Sequence, residues 1–230
     1  MKPENKVFNA QLLTRLISAL ALLPVVLAAV WFGGWFFILL LAVAGFLMAY
    51  EWFQMVKTSP NKTSLIIWLL SGLAYIIIAL LAFNCLRQQT DGILIVFWVF
   101  LMVWAMDVGG FFAGKSIGGP KMAPKISPNK TWSGLAGGVS LAIVAHFLIF
   151  FILDSLNLNY NYSFTPSWYV AAIIALVAQV GDLIESQCKR HFSIKDTSGF
   201  IPGHGGLLDR ADGLLLAGPV VVFLIYQGLV

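Results

Sequence analysis

Apolar residues run along this chain in seven long stretches that short polar segments separate. Each stretch is about 20 residues long, which is the length an α-helix needs to cross a bilayer. The stretches cover residues 12–31, 35–55, 64–84, 92–113, 134–153, 166–187 and 211–229. The pattern predicts an all-α fold, a polytopic membrane helix bundle of about seven transmembrane helices that forms a single integral membrane domain over residues 1–230.

Composition agrees with this pattern, because 60% of the residues are hydrophobic and only 10% are charged. A soluble domain has about 25% charged residues. Lys2, Lys6 and Arg15 lie before or near the start of the first stretch, as in a secretory signal peptide. Bulky Trp31 and Phe32 stand at its end, however, where a cleavage site needs small residues. We therefore expect an uncleaved first span.

Basic residues fall on one side of the predicted membrane. With the N-terminus cytoplasmic and the C-terminus outside, Arg87 alone of the 14 Lys and Arg residues lies in an outer segment. This distribution follows the rule that short cytoplasmic loops carry the positive charge. The net charge of +4 then belongs to a cytoplasmic face that suits anionic lipid and phosphate ligands, so no nucleic-acid partner is expected.

Two cytoplasmic segments, 114–133 and 188–210, are long and rich in Gly, Pro, Lys and hydroxyl residues. Long ordered loops in compact bundles usually carry function, so we expect the chemistry there. Beside the first of them are two GxxxG spacings, which begin at Gly110 and Gly134 and would let two helices approach closely.

The sixth stretch carries a small and polar stripe at helical spacing. Its members are Ala175, Ala178, Gln179, Asp182, Glu185, Ser186 and Lys189. Because an ionised carboxylate in hydrocarbon is costly, this face must turn to the bundle interior or to a wet cavity. Asp182 and Glu185 are therefore expected to line a pocket. The alternative for either acid is an ion-pair ladder with Lys189 at the membrane surface.

Cations, acids and glycines follow this stripe in close succession. They are Lys189, Arg190, His191, Lys195, Asp196, Pro202, Gly203, His204, Gly205, Gly206, Asp209, Arg210 and Asp212. The glycines can offer successive backbone N–H groups to phosphate oxygens in an anion-binding nest. The cations can donate charge-assisted hydrogen bonds, and the carboxylates can hold Mg²⁺. The combination fits a site for a nucleoside triphosphate.

Simpler explanations exist for parts of this segment. Asp209 and Asp212 share a helical face at the start of the last span, where acids also stabilise a helix N-terminus. A histidine between glycines is often a turn residue that water satisfies. We assign His204 to ligand contact and not to base catalysis.

The segment 125–133 repeats the theme before the fifth span. Ser127 or Thr131 can cap that helix, and a helix N-terminus beside Lys130 is a ready phosphate site. The alternative is a capped loop that follows the positive-inside rule. Asp107 lies near the membrane end of the fourth span, where an acid suggests a polar cavity unless a lysine such as Lys115 or Lys130 pairs with it.

The segment from Ser186 to Asp212, SQCKRHFSIKDTSGFIPGHGGLLDRAD, resembles over its whole length the signature of the phosphatidate cytidylyltransferase family, also called CDP-diglyceride synthases. A second segment resembles the family's other recurring block, in Asp107 through Gly114 and then Pro124, Ser127, Pro128, Lys130, Thr131 and Trp132. The resemblance covers roughly residues 104–213, which is the predicted catalytic half. Ser133 departs from the pattern, which usually has an acid or amide there.

The resemblance implies a homodimeric transferase of phospholipid biosynthesis that makes CDP-diacylglycerol and pyrophosphate from CTP and phosphatidic acid. It implies Asp182 and Asp209 as ligands of Mg²⁺, with K⁺ as a second ion, and Glu185 is predicted beside them. The predicted catalytic residues are Asp182, Lys189, Arg190, Lys195, Asp196, Asp209 and Asp212. The predicted substrate-binding residues are Asp107, Ser127, Lys130, Thr131, Ser186, Lys189, Arg190, His204, Gly205, Gly206 and Arg210.

The predicted location is the bilayer of a bacterial inner (plasma) membrane, with a cytoplasmic active site. Two other classes of membrane protein would show different patterns. A CDP-alcohol phosphotransferase should show several Asp residues with DG and AR elements on adjacent helices, and this pattern is absent from the sequence. A transporter or channel should carry charges through the outer half of the membrane as well.

Overall fold

The computed structural model describes residues 21–59, 61–156, 162–198, 200 and 205–230. These residues form helices and one two-stranded antiparallel hairpin. In chain order the elements are α1 (Ala21–Phe32), α2 (Gly34–Val56), α3 (Lys62–Arg87), α4 (Gly92–Ser116), β1 (Lys121–Ala123), β2 (Ser127–Thr131), α5 (Trp132–Ser155), α6 (Trp168–His191) and α7 (Leu208–Tyr226).

The helices confirm the all-helical architecture that the apolar stretches predict. The five helices α2 to α6 are long and apolar enough to cross a membrane. Helix α1 is shorter over the described residues, and α7 begins with the charged Asp209, Arg210 and Asp212 before its apolar part. The structure thus supports five spans by length and composition, while the count of seven and the sides of the two termini stay predictions.

Two segments differ from the predicted loops. The segment 114–133 contains the β1–β2 hairpin, in which Lys121 pairs with Thr131 and Ala123 with Ser127. A turn closes it, since the Ile126 amide donates to the Ala123 carbonyl oxygen at 3.1 Å. Helix α6 runs on to His191, so its last turn carries the basic residues that were predicted to open the following loop. Cations are favourable there because a helix C-terminus carries partial negative charge.

The chain divides into two compact units. The first unit consists of residues 1–77 and 189–211, and the second of residues 78–188 and 212–230. Both units contain parts of α3, α6 and α7, because the division falls inside these helices.

Tryptophans organise the first unit. The Trp52 indole N–H in α2 donates to the Trp68 carbonyl oxygen in α3 at 2.8 Å. Gly72 makes room for the Trp52 ring, because a Cβ there would lie 1.9 Å from a ring carbon. Trp68 also packs on His191 and Phe192, with ring centroids 5.1 and 5.3 Å apart. These contacts fix α2 and α3 to the end of α6.

Glycines let α4 and α5 pack backbone to backbone in the second unit. A Cβ on Gly109 would lie 2.7 Å from the Gly137 carbonyl oxygen, and one on Gly134 would lie 2.9 Å from the Gly110 carbonyl oxygen. This confirms the close approach that the two GxxxG spacings predict. Small residues at helix interfaces gain van der Waals contact that bulky side chains would prevent.

A buried aspartate holds one end of the second unit together. Asp91, which is 3% exposed, precedes α4. Its carboxylate accepts hydrogen bonds from the Ser163 amide at 2.6 Å, the Ser163 hydroxyl at 2.8 Å and the Phe164 amide at 2.8 Å. Because these residues lie just before α6, the starts of α4 and α6 are fixed together. The C-terminal halves of both helices therefore lie at the opposite end of this unit.

Gly137→Val should destabilise the protein, because a Cβ at this position would lie 2.2 Å from the Ala113 Cβ. Overpacking of this kind costs about 1–3 kcal/mol. The matched control is Ala136→Val on the exposed face of the same helix. Thermal unfolding in detergent should show a lower midpoint for the first variant than for the second. Equal midpoints would contradict the close packing of α4 and α5.

Candidate active site

The polar stripe of α6 faces inward, as its spacing predicts. Its buried members are Ala175, Ala178, Glu185, Ser186 and Lys189. The opposite face exposes large aliphatic side chains at Ile173, Leu176, Val180 and Ile184. A helix with one small, polar face and one exposed apolar face is suited to carry functional groups inside a membrane protein.

Four charged side chains from separate segments lie near one another in the second unit, and we call them the carboxylate–lysine cluster: Asp107, Lys130, Asp182 and Asp212. The Lys130 ammonium forms an ion pair with the Asp182 carboxylate. Asp212 interacts electrostatically with Asp182, Asp107 and Lys130. All four were predicted as site residues, and the fold brings them together.

Hydrogen bonds orient the aspartates of this cluster. The Ser186 hydroxyl donates to Asp182 Oδ1 at 3.2 Å, one helical turn further along α6. Asp212 Oδ1 accepts from the Gly213 amide at 2.6 Å. Gly181 brings α6 and α7 together here, because a Cβ on it would lie 2.6 Å from the Asp212 carbonyl oxygen.

The start of α5 places Lys130. Thr131 is the N-cap of α5, and its hydroxyl oxygen accepts from the Gly134 amide at 3.1 Å. This confirms one of the two predicted caps, whereas Ser127 lies in β2. Gly114 leaves room for the cap, since a Cβ there would lie 3.0 Å from the Thr131 hydroxyl oxygen. Lys130 is thereby held one residue before the N-cap, beside the C-terminal part of α4.

The donor set of this cluster suits magnesium. Carboxylate oxygens are the ligands that Mg²⁺ prefers, and it often takes only one or two of them together with substrate phosphates. Within the described residues, no three His, Cys, Asp or Glu side chains form a group that could hold a metal by themselves. The cluster therefore fits an ion that a phosphate ligand helps to hold. Glu185, also predicted as a ligand, is buried on α6, the helix that carries Asp182.

A second set of polar groups surrounds Asp209 in the first unit. Its Oδ1 accepts from the Lys189 ammonium at 2.7 Å, and the two side chains are 5% and 11% exposed. Its Oδ2 accepts from the amides of Thr197 at 3.0 Å and Gly206 at 2.9 Å. The sequence predicted Lys189 and Asp209 as site residues but not their pairing with each other.

Glu51 is a buried acid that the sequence reasoning missed. It lies in α2, is 0% exposed and accepts hydrogen bonds from four donors. The donors are the hydroxyls of Thr197 and Ser198 and the amides of Leu207 and Leu208. One signal was available, since Glu51 is the single acid in the apolar stretch 35–55. An acid in a membrane span usually marks function or a specific partner.

The described part of the glycine turn is already engaged. Gly205 adopts φ +80°, a conformation that favours glycine, and it lies beside Asp196 and Asp209. The Gly206 amide donates to the Asp209 carboxylate. This N–H group therefore does not point into an open anion-binding nest. A carboxylate therefore takes the position that the sequence assigned to phosphate, and phosphate binding by these two glycines stays a prediction.

Most of the remaining predicted residues have exposed side chains. The Arg190 guanidinium donates to the Ile194 carbonyl oxygen at 3.2 Å. The side chains of Lys195, Asp196 and Arg210 are exposed. His204 lies outside the described residues. Asp182 and Asp209 belong to different units and each pairs with a lysine of its own unit, so their shared metal site stays a prediction.

Comparison with known proteins relates the chain to enzymes over most of its length. The model of the cytidylyltransferase family matches residues 13–83 and 64–227. The phosphatidate cytidylyltransferase of Rickettsia felis is 38% identical over 218 residues, which cover 91% of this chain and 90% of that protein. That of Rickettsia typhi is 39% identical over 214 residues, with 90% and 88% covered. That of Brucella suis is 32% identical over 254 aligned positions, with 90% and 91% covered.

Lys130→Met should lower stability, because three aspartates then lose their nearby positive charge. The loss should be smaller in an Asp182→Asn background, since the ion pair is already absent there. We expect a coupling of about 0.5–1 kcal/mol between the two changes in unfolding experiments. Lys125→Met, at an exposed position of the same hairpin, is the control and should have no effect. Strictly additive effects would contradict the pairing.

Proposed function

The chain belongs to the cytidylyltransferase family, and we propose that it makes CDP-diacylglycerol and pyrophosphate from CTP and phosphatidic acid. Its relatives are named phosphatidate cytidylyltransferase, and their sequences align with about nine-tenths of the chain. The single observation that supports the chemistry is the carboxylate–lysine cluster, which gathers acids and a cation from four segments. Family membership removes the transporter and the CDP-alcohol phosphotransferase from consideration.

The reaction joins two phosphates. An oxygen of the phosphatidic acid phosphate attacks the α-phosphorus of CTP and forms a new P–O bond. The bond from the α-phosphorus to the oxygen that bridges it to the β-phosphorus breaks, and pyrophosphate leaves with that electron pair. The second pKa of a phosphate monoester is about 6, so the attacking group is already largely anionic at neutral pH. Positioning and charge neutralisation therefore matter more than a general base.

In the second unit we assign Asp182, with Glu185 on the same helix, to the binding of magnesium. Asp107 and Asp212 add negative charge beside Asp182. The ion, when bound, would neutralise charge on the triphosphate. Lys130 can donate to a phosphate oxygen, because it is held beside the N-terminus of α5, which also favours anions. Ser186 orients Asp182 through its hydroxyl.

In the first unit we assign Lys189, Arg190 and Lys195 to the binding of phosphate. Lys189 is held by Asp209, which keeps a flexible ammonium in one place. Arg190 and Lys195 are exposed and can reach a soluble ligand. We also assign Asp209 as a metal ligand, with K⁺ as a second ion, as the family resemblance implies.

We place the enzyme in a bacterial inner membrane as a homodimer, with its N-terminus and active site cytoplasmic. Two observations support this arrangement. The carboxylate–lysine cluster lies at the end of the second unit where α4 and α6 finish, opposite the end that Asp91 fixes. Most of the basic residues lie in the segments predicted to be cytoplasmic. CTP is soluble whereas the acyl chains stay in lipid, so a site at the membrane surface can reach both.

Purified protein in mixed micelles should convert α-labelled CTP and phosphatidic acid into labelled CDP-lipid and an equal amount of pyrophosphate. Removal of divalent cations with a chelator should stop turnover, and added magnesium should restore it, because the triphosphate charge must be neutralised. Absence of CDP-lipid under these conditions would overturn the proposed function. Turnover that continues after chelation would overturn only the magnesium assignment.

Asp182→Ala and Asp209→Ala should each lower turnover at least about 100-fold, as is typical when a group that stabilises transferring phosphate charge is lost. Both proteins should still be extracted in folded form. Asp154→Ala is the matched control, since Asp154 is an exposed acid in α5 that accepts a hydrogen bond from the Tyr162 hydroxyl. Turnover near the wild-type rate in either of the first two variants would refute its assigned role.

A further inference from the structure

We propose that Glu51 is a positioning residue for this reaction, which acts through Thr197 and Asp209 to hold Lys189 where it binds the phosphates of CTP. The inference rests on the proposed function and deepens it. It assigns a role to an acid in the N-terminal half, outside the predicted catalytic half. Glu51 itself touches no substrate in this proposal.

Glu51 is fully buried in α2. A buried carboxylate is stable only when hydrogen-bond donors surround it. Oε1 accepts from the Ser198 hydroxyl at 2.6 Å and the Leu207 amide at 2.9 Å. Oε2 accepts from the Leu208 amide at 2.8 Å and the Thr197 hydroxyl at 3.2 Å. All four donors come from one segment that is remote in sequence, so the acid fixes that segment and the start of α7 to α2.

The Thr197 hydroxyl links Glu51 to Asp209. The Thr197 hydroxyl oxygen lies 3.2 Å from Glu51 Oε2 and 3.0 Å from Asp209 Oδ2. One hydroxyl proton is therefore shared between two carboxylates. The Thr197 amide also donates to Asp209 Oδ2, at 3.0 Å. With Oδ2 turned to the loop, Oδ1 is turned to the Lys189 ammonium at 2.7 Å.

The hydrogen-bonded side chains of Glu51 and Thr197 pack tightly against the backbone at Gly206. A Cβ on Gly206 would lie 2.0 Å from the Thr197 hydroxyl oxygen and 2.7 Å from Glu51 Oε2. The backbone of the loop therefore sits directly on the two side chains. A displacement of Glu51 must then displace Thr197 and Asp209, and with them the cation that Asp209 holds. In this way α2 sets the position of Lys189.

Glu51→Gln tests the proposal with a side chain of nearly the same shape. The amide keeps one acceptor oxygen but turns an NH₂ donor toward two other donors, so two of the four hydrogen bonds are lost. We expect the dissociation constant for CTP and the KM for CTP to rise about tenfold, because a phosphate-binding cation is misplaced. The KM for phosphatidic acid should change less than about twofold.

Thr197 supplies a second, independent pair of variants. Thr197→Val removes the shared hydroxyl and should raise the dissociation constant for CTP as Glu51→Gln does. Thr197→Ser keeps the hydroxyl and should bind CTP as the wild type does. The double variant Glu51→Gln, Thr197→Val should be no weaker than Glu51→Gln alone, because both changes break one network.

Asp91→Asn is the matched control for a purely structural role. Asp91 is also a buried carboxylate that accepts three hydrogen bonds from a remote loop, but it lies outside the assigned site. This variant should lose thermal stability while its folded fraction keeps wild-type constants for both substrates. Glu51→Gln should differ from it in the CTP constants and not only in stability.

Wild-type CTP affinity in folded Glu51→Gln would overturn the proposal. If that variant does not fold, the Thr197 pair decides, and equal CTP affinity of the Val and Ser variants would overturn it. CTP dissociation constants are measured by titration without turnover. If the wild type binds CTP but makes no CDP-lipid, the proposed function is wrong. The binding data would then still test the role of Glu51.

Discussion

A carboxylate can be kept inside an apolar helical protein only where cations or hydrogen-bond donors surround it, and this constraint organises both units. Glu51 accepts hydrogen bonds from amides and hydroxyls, and Asp209 accepts them from an ammonium, amides and a hydroxyl. Asp182 forms an ion pair with Lys130, and Asp91 accepts hydrogen bonds from the segment before α6. Each acid thus fixes a loop or helix end to a helix. The described residues at the ends of the glycine- and proline-rich loops gain defined positions in this way.

Under the proposed function, the pairing of acids with lysines also prepares the site for an anionic substrate. Lys130 and Lys189 are long, flexible cations, and each is held by one aspartate before any ligand arrives. The entropy of ordering these side chains is thus lost on folding and not on binding. The same aspartates are oxygen ligands of the kind that magnesium prefers. In the proposed function, one arrangement would therefore serve both the stability of the free protein and the binding of a metal-bound triphosphate.

Close packing of glycines makes these pairings geometrically possible. Gly109 and Gly137 let α4 and α5 touch through their backbones, and Gly114 leaves space for the cap at Thr131. Gly181 does the same between α6 and α7, where Asp182 and Asp212 approach each other. A methyl group at any of these glycines would meet backbone or side-chain atoms at once. The geometry of the candidate site in this unit therefore depends on residues that carry no chemistry of their own.

The sequence by itself determined the helices, because an apolar stretch long enough to cross a bilayer must satisfy its backbone hydrogen bonds internally. It also determined the inward face of α6, since the spacing of Asp182, Ser186 and Lys189 places them on one side of any helix. Only the tertiary structure decided the partners of these groups. Lys130 for Asp182, Asp209 for Lys189 and the donors of Glu51 all come from segments remote in sequence, and local periodicity carries no information about which remote segments will meet.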